Sequence, residues 1–245
     1  MTLHFGVLIP STNTTVETEL SRLPPGYQAH YGRLYTSTPG HPFAPSRDED
    51  IDYQSKLLGT ARVQMVMLMQ TSASLFADDY DDVVSRRMSA AANGVPATTS
   101  ADAVGRGLRA LGVKRIALVS PYSVEASARA KRYFSRRHGL EVVVVEGFAA
   151  TDAYAIGNLG PEMARDAFVR VDRPEIDAFV VPGANFPTMA SISEWEREFK
   201  KPVVTSTQAA LWAMARELGG EPIVGYGKLL EQLPAKRPED ARLTR

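Results

Sequence analysis

The sequence contains no cysteine. That absence excludes disulfides, thiolate metal sites and a cysteine nucleophile. An excess of either charge is missing too: 28 Lys and Arg stand against 28 Asp and Glu, a formal net charge of zero. Binding to nucleic acid would need a basic excess or a clustered basic face, so no nucleic-acid partner is expected. Long hydrophobic runs are lacking as well. Stretches such as Val63 to Met69 fall far short of the ~20 apolar residues of a membrane helix, and no membrane is expected. The opening MTLHFGVLIPSTN has no basic segment followed by a long apolar one. No signal peptide is therefore expected, and the expected location is the cytoplasm. His4, His30, His41 and His138 show no ligand spacing, and neither G-x-G-x-x-G nor G-x-x-x-x-G-K-[ST] occurs. No metal and no cofactor are expected.

What is there is an alternation. Short apolar runs at 4–10, 27–36, 63–69, 96–100, 114–120, 140–147, 177–183 and 202–206 read as strands. Helical patterns fill 12–23, 48–62, 78–94, 101–112, 124–138, 160–171, 191–199 and 208–218. Near-continuously apolar strands separated by helices predict α/β architecture with parallel sheets covered on both faces. A chain of 245 residues is one large domain or two small ones, at about 100–200 residues each.

The pattern also repeats. PATTSADAVGRGLRALG (96–112) and PVVTSTQAALWAMARELG (202–219) both open Pro-x-x-Thr-Ser, which aligns Thr99 with Thr205 and Ser100 with Ser206. Any strand–turn–helix unit shares some turn chemistry. The sharper reading is two similar α/β halves, 1–100 plus 208–245 and 101–207, with a site in the cleft between them.

Four strand ends carry candidate chemistry: PSTNTTVETE (10–19), QTSASLF (70–76), PYS (121–123) and GANFPT (183–188). PSTN and QTSAS offer small hydroxyls, amides and free backbone N–H groups, which suit a carboxylate or oxyanion. Ordinary N-capping explains either one; both at matching topological positions favour anion binding. Tyr122, directly after a strand, can donate to a developing oxyanion or act as a general acid, or be a half-buried aromatic with its hydroxyl in water. His41 sits in a Pro/Gly-rich loop that could close over a cleft or carry a plain loop histidine. Asp78, Asp79, Asp81 and Asp82 read as a solvated helix start that complements the helix dipole.

These residues resemble a family. GVLIPSTNTTVETE resembles the opening of maleate cis-trans isomerases, and LMQTSASLF the Gly-Thr-Ser segment of arylmalonate decarboxylases. DAFVVPGANF with EWEREFKKPVVTSTQAALW resembles the second half-site and closing helix of both. The chain is identified as a member of the aspartate/glutamate racemase superfamily, in the arylmalonate decarboxylase and maleate isomerase branch. The resemblance implies two Rossmann-like, flavodoxin-like halves related by a pseudo-twofold. It also implies roles. Asn13 and Asn158 match isomerase asparagines, the first on a substrate carboxylate, and Pro10 matches a pocket proline. Thr71 and Ser72 match an oxyanion-hole pair, and Tyr122 a tyrosine used on a carboxylate. The family's two cysteine positions fall on Gln70 and Gly183. Gln70, Gly183, Ala184 and Asn185 would then contact substrate.

With both thiols gone, two-base proton exchange and a covalent thiolate adduct are unavailable. The expectation is a cysteine-independent lyase acting on a small carboxylate or dicarboxylate through an enolate-like intermediate in an oxyanion hole. Alternatives are an isomerase or racemase likeness by similarity and a non-catalytic small-acid-binding protein. A homo-oligomer is allowed. Returning a thiol at 183 would be expected to restore arylmalonate decarboxylation.

Overall fold

The structure is a computed structural model that describes residues 2–36 and 41–233. Among the described residues, apolar runs bounded by Gly, Pro and polar clusters form eight short strands in two sheets. In the first sheet β1 (Leu3–Pro10) lies between β2 (Tyr27–Leu34) and β3 (Val66–Leu68), and β4 (Ala97–Thr99) pairs with β3. In the second, β5 (Arg115–Ser120) lies between β6 (Glu141–Gly147) and β7 (Ala178–Val181), and β8 (Val203–Thr205) pairs with β7. All pairings are parallel, and the order β2-β1-β3-β4 recurs as β6-β5-β7-β8. In each sheet the order reverses beside the first strand, leaving a crevice at the carboxyl ends of β1 and β3 and of β5 and β7.

The connections are α1 (Val16–Leu20), α2 (Asp48–Thr60), α3 (Tyr80–Ala91), α4 (Ser100–Ala110), α5 (Val124–His138), α6 (Ala153–Gly157), α7 (Pro161–Val171), α8 (Ile192–Phe199), α9 (Ser206–Leu218) and α10 (Lys228–Glu231). On one face of the first sheet, Leu8, Val66 and Leu68 pack with Ile51, Leu58, Val84 and Met88 of α2 and α3. On the other, Phe5, Val7, Ile9 and Met67 join a continuous core that runs through the second sheet. Each fully buried aliphatic side chain contributes about 1.5–3 kcal/mol. Helices α4 and α9 pack on each other, and each touches both β4 and β8. The expected division into 1–100 plus 208–245 and 101–207 falls on this shared seam; residues 234–245 lie outside the described residues.

Three elements differ from expectation, one of them the unanticipated α10, whose four residues are too few to show a helical period. A helix over 12–23 is expected, yet α1 begins only at Val16. The side-chain oxygen of Asn13 accepts from the N–H groups of Thr15 and Val16, both at 3.0 Å. That local bond holds 12–15 out of the helix, as Asx turns do. Helix α6 was not anticipated, because five residues, AYAIG, carry no helical period; the Asp152 side chain caps it through Ala155 N at 2.8 Å.

Candidate active site

The repeated Thr-Ser pair builds the floor of the cleft. Thr99 caps α4, its hydroxyl accepting from Asp102 N at 3.1 Å. Ser100 and Ser206, the first residues of α4 and α9, bring their hydroxyls to one point, the hydroxyl of Thr71. Thr71 Oγ1 lies 2.8 Å from Ser100 Oγ and donates to Ser206 Oγ at 2.9 Å. Ser206 Oγ also accepts from Gly183 N at 2.9 Å. The carboxyl ends of β3 and β7 are thus joined through Ser206, while Ser100 holds the Thr71 hydroxyl from the other side, and all three hydroxyl residues are buried.

Above this floor is a small cavity of about 30 Å³. Pro10, Asn13, Gln70, Thr71, Ser72, Tyr122, Gly183, Ala184 and Asn185 line it, together with Thr12, Phe43, Met69, Ala153 and Ile156. No cationic side chain is among them. The backbone N–H groups of Thr71, Ser72, Ala184 and Asn185 have no acceptor among the described residues. Two pairs of unpartnered amides at facing strand ends are a set of fixed dipoles suited to an oxyanion.

Several expected contacts take another form. The Thr71 hydroxyl is occupied by the two serines, leaving its N–H as the group available to an oxyanion. Gln70 lines the cavity, but its carboxamide is already committed: its Oε1 accepts from Ser46 N at 3.1 Å and its Nε2 donates to Ala44 O at 3.0 Å. The Asn185 side chain is a bridge, its Oδ1 accepting from Thr14 N at 2.8 Å and its Nδ2 donating to Ala153 O at 2.7 Å. Asn13 has its oxygen committed to α1, which leaves the amide nitrogen for a ligand. Asn158, the exposed C-cap of α6, is not part of the lining. His41 lines a separate outer cavity of about 440 Å³, with Tyr35, Arg47 and Tyr154.

Tyr122 is fully buried rather than half wet. Its ring meets the edge of Phe43 at 5.3 Å between centroids. Its hydroxyl has no hydrogen-bond partner among the described residues. Burial pushes the phenol well above its ordinary value. The nearby Thr71 hydroxyl offsets part of that shift without completing a hydrogen bond. Gly183 explains the space the phenol occupies. Its φ is +100°, and a Cβ added there would lie 2.9 Å from Pro121 Cγ and 3.3 Å from the Tyr122 hydroxyl. The phenol oxygen therefore stands in tight contact with the place where a side chain at 183 would begin. A thiol at 183 would strain the backbone and press on Pro121, so restoring chemistry by that single exchange is no longer the expected outcome.

Sequence reasoning missed three supports. Ser100 and Ser206 were visible only as a repeat. Asp81 was read as solvated, yet it is buried and accepts from Ser74, Thr99 and Tyr133, with Arg137 beside it at 3.3 Å. Its neighbours are contributed by segments up to 56 residues away in sequence, which a local charge pattern does not record.

The cleft lies between two parallel sheets of like strand order, is walled by strand-end amides, and has no cationic side chain in its lining. The chain belongs to the arylmalonate decarboxylase family, whose model matches residues 6–230. Arylmalonate decarboxylase of Bordetella bronchiseptica is 31% identical over 180 residues, covering 69% of this chain and 71% of that one. Maleate isomerase of Pseudomonas putida is 26% identical over 242 residues, 93% and 96% of the two chains. Among solved structures, a maleate isomerase variant from a Pseudomonas putida strain, crystallised with maleate, superimposes with a TM-score of 0.87 at 27% identity, covering 94% of this chain and 98% of that one. Unliganded arylmalonate decarboxylase superimposes with a TM-score of 0.78 at 26% identity, covering 94% and 100%.

Proposed function

We propose that the protein is a cysteine-independent lyase that decarboxylates a small malonate-type dicarboxylate, with Tyr122 as proton donor. One observation carries this reading. The Tyr122 hydroxyl is buried, unpartnered and 3.3 Å from where a residue-183 side chain would start. A buried hydroxyl without a partner costs about 1–3 kcal/mol, a cost that fits a group reserved for a reacting molecule.

The chemistry follows from the lining. One carboxylate of the substrate accepts hydrogen bonds from the amides of Thr71 and Ser72, the Asn13 amide nitrogen and the amides of Ala184 and Asn185. The other carboxylate faces apolar Phe43, Met69 and Ile156, where a charge is poorly solvated and loss as neutral carbon dioxide is favoured. The C–C bond breaks, its electron pair enters the retained carboxylate, and an enediolate forms against the amides. Tyr122 gives its proton to the α-carbon. The phenolate regains a proton from water, leaving a monocarboxylate and carbon dioxide. A phenol held protonated by burial remains loaded across the neutral pH range.

The test is turnover of phenylmalonate and alkylmalonates by the native chain and by Tyr122→Phe, followed by carbon dioxide release. Native turnover and a loss of about 10²–10⁴-fold in the variant are expected. Undiminished turnover in Tyr122→Phe refutes the role of the phenol. Binding of malonates without turnover by the native chain would replace the lyase reading with that of a small-acid-binding protein.

A further inference from the structure

We infer that Gln70 is a clasp: its carboxamide holds segment 41–47 shut over the cleft, so that this residue positions the cover of the site instead of contacting substrate. Both functional ends of the amide are taken by one segment. Oε1 accepts from Ser46 N at 3.1 Å and Nε2 donates to Ala44 O at 3.0 Å, with Gln70 and Ser46 both buried. Between those anchor points and the cleft, Phe43 drives inward and meets Tyr122 edge-on. A turn closed by Ala44 N to His41 O at 3.1 Å shapes the segment.

The segment is a partition. Phe43 lines the inner cavity of about 30 Å³, whereas its neighbour Ala44 lines the outer one of about 440 Å³. Thr12 and Ala153 line both, so the two spaces adjoin. An inner space of this size is on the scale of one water molecule, whose share of liquid volume is ~30 Å³. An organic acid entering from the outer cavity must displace Phe43, and the segment that carries Phe43 moves only when the Gln70 pair opens. The side chain at the end of β3 thus controls admission to the cleft. This inference takes the inner cavity as the active site, as proposed above, but not the reaction proposed there.

The test needs no turnover. Amide hydrogen exchange is followed residue by residue in the full chain without ligand, for the native protein, Gln70→Met and Gln70→Ala. Methionine keeps the length and loses both hydrogen bonds; alanine removes the arm. In both variants the Ser46 amide is expected to exchange about tenfold faster or more, as two net hydrogen bonds are lost. The Thr15 and Val16 amides, held by Asn13 in the same cleft, should be unchanged. Unaltered Ser46 exchange in both variants overturns the clasp. Equal acceleration at Ser46, Thr15 and Val16 overturns it too, because Gln70 would then support the whole cleft and not one segment.

Discussion

The ends of β3 and β7 face each other across the cleft, and the chain finishes them by opposite means. The β3 end is crowded with side-chain fastenings. Gln70 grips Ala44 and Ser46, and Thr71 meets Ser100 and Ser206. The β7 end carries no side chain at Gly183 and is fastened from outside. Ser206 takes its N–H, Asn185 is bridged to Thr14 and Thr15, and Glu19 accepts from Thr188 N at 2.7 Å and Met189 N at 2.8 Å. The difference teaches how two equivalent positions of a repeat can diverge. One became a holder of the cover, and the other became room for the Tyr122 hydroxyl.

The crowded side is expected to be the costlier to break. Asp81 supports it from below, accepting from Ser74, just beyond the β3 end, and from Thr99, the cap of α4. Asp81→Ala leaves Arg137 without its most buried partner and three hydroxyl donors without an acceptor. Losses of this kind amount to about 3–5 kcal/mol. Urea unfolding of the variant measures it, and a loss below 1 kcal/mol (roughly the worth of a single net hydrogen bond) would mean the network is not a support. On the bare side, Gly183→Ala meets a positive φ and the Pro121 ring. A left-handed conformation costs a residue with a Cβ about 1–2 kcal/mol, and overpacking adds about 1–3 kcal/mol. The same methyl crowds the phenol, so turnover should fall along with stability. A variant of native stability would show that the glycine is not required by its geometry.

The architecture was legible because most buried strands are nearly continuous in apolar residues and each longer helix has a clear period, so the alternation of strand and helix, and with it the parallel α/β class, could be read. The late start of α1 and the short helices α6 and α10 escaped because an asparagine's local bonds and helices of four or five residues are not recorded by periodicity. Nine of the ten residues expected at the site line the cavity, and Asn158 does not. Position in the topology was therefore readable, whereas the direction of each polar group was not. Gln70 finds its partners 24 and 26 residues earlier in the chain, and Asn185 finds Thr14 across 171; no local pattern encodes such pairings. The Thr-Ser repeat did encode one, because Ser100 and Ser206 converge by the symmetry the repeat implies.

Tyr122→Phe sharpens the contrast between the two ends with a smaller effect of opposite sign. Removing a buried hydroxyl that has no partner should stabilise the fold by about 1 kcal/mol while removing the proposed acid. For a chain of this size that is a rise of about 2–4 °C in Tm. A fall in Tm would mean the hydroxyl has a bonding partner in solution, and the group would no longer be one held in reserve.

The smallest effect concerns the outside fastening of the β7 end and depends on pH. Glu19 is buried, and among the described residues its Oε2 has no partner, nor has the Thr207 hydroxyl. Burial raises the Glu19 carboxyl above its ordinary value, more than its bonds to Met189 and Thr188 and the nearby Thr207 hydroxyl and Arg22 lower it. A folded-state pKa above the unfolded one favours the protonated acid in the fold. The stability tied to Glu19 is therefore fully present below the ordinary carboxyl value and declines as pH rises through the raised one. Glu19→Gln keeps an oxygen for the two backbone amides, adds an N–H that can reach the Thr207 hydroxyl, and has nothing to ionise. The variant should match the native chain near pH 4 and exceed it by about 1 kcal/mol at pH 8. Paired thermal melts across that range read the difference directly. A constant offset between the two chains would show that folding leaves the Glu19 carboxyl unshifted, and a variant that loses ground as pH rises would show that the fold prefers the ionised form.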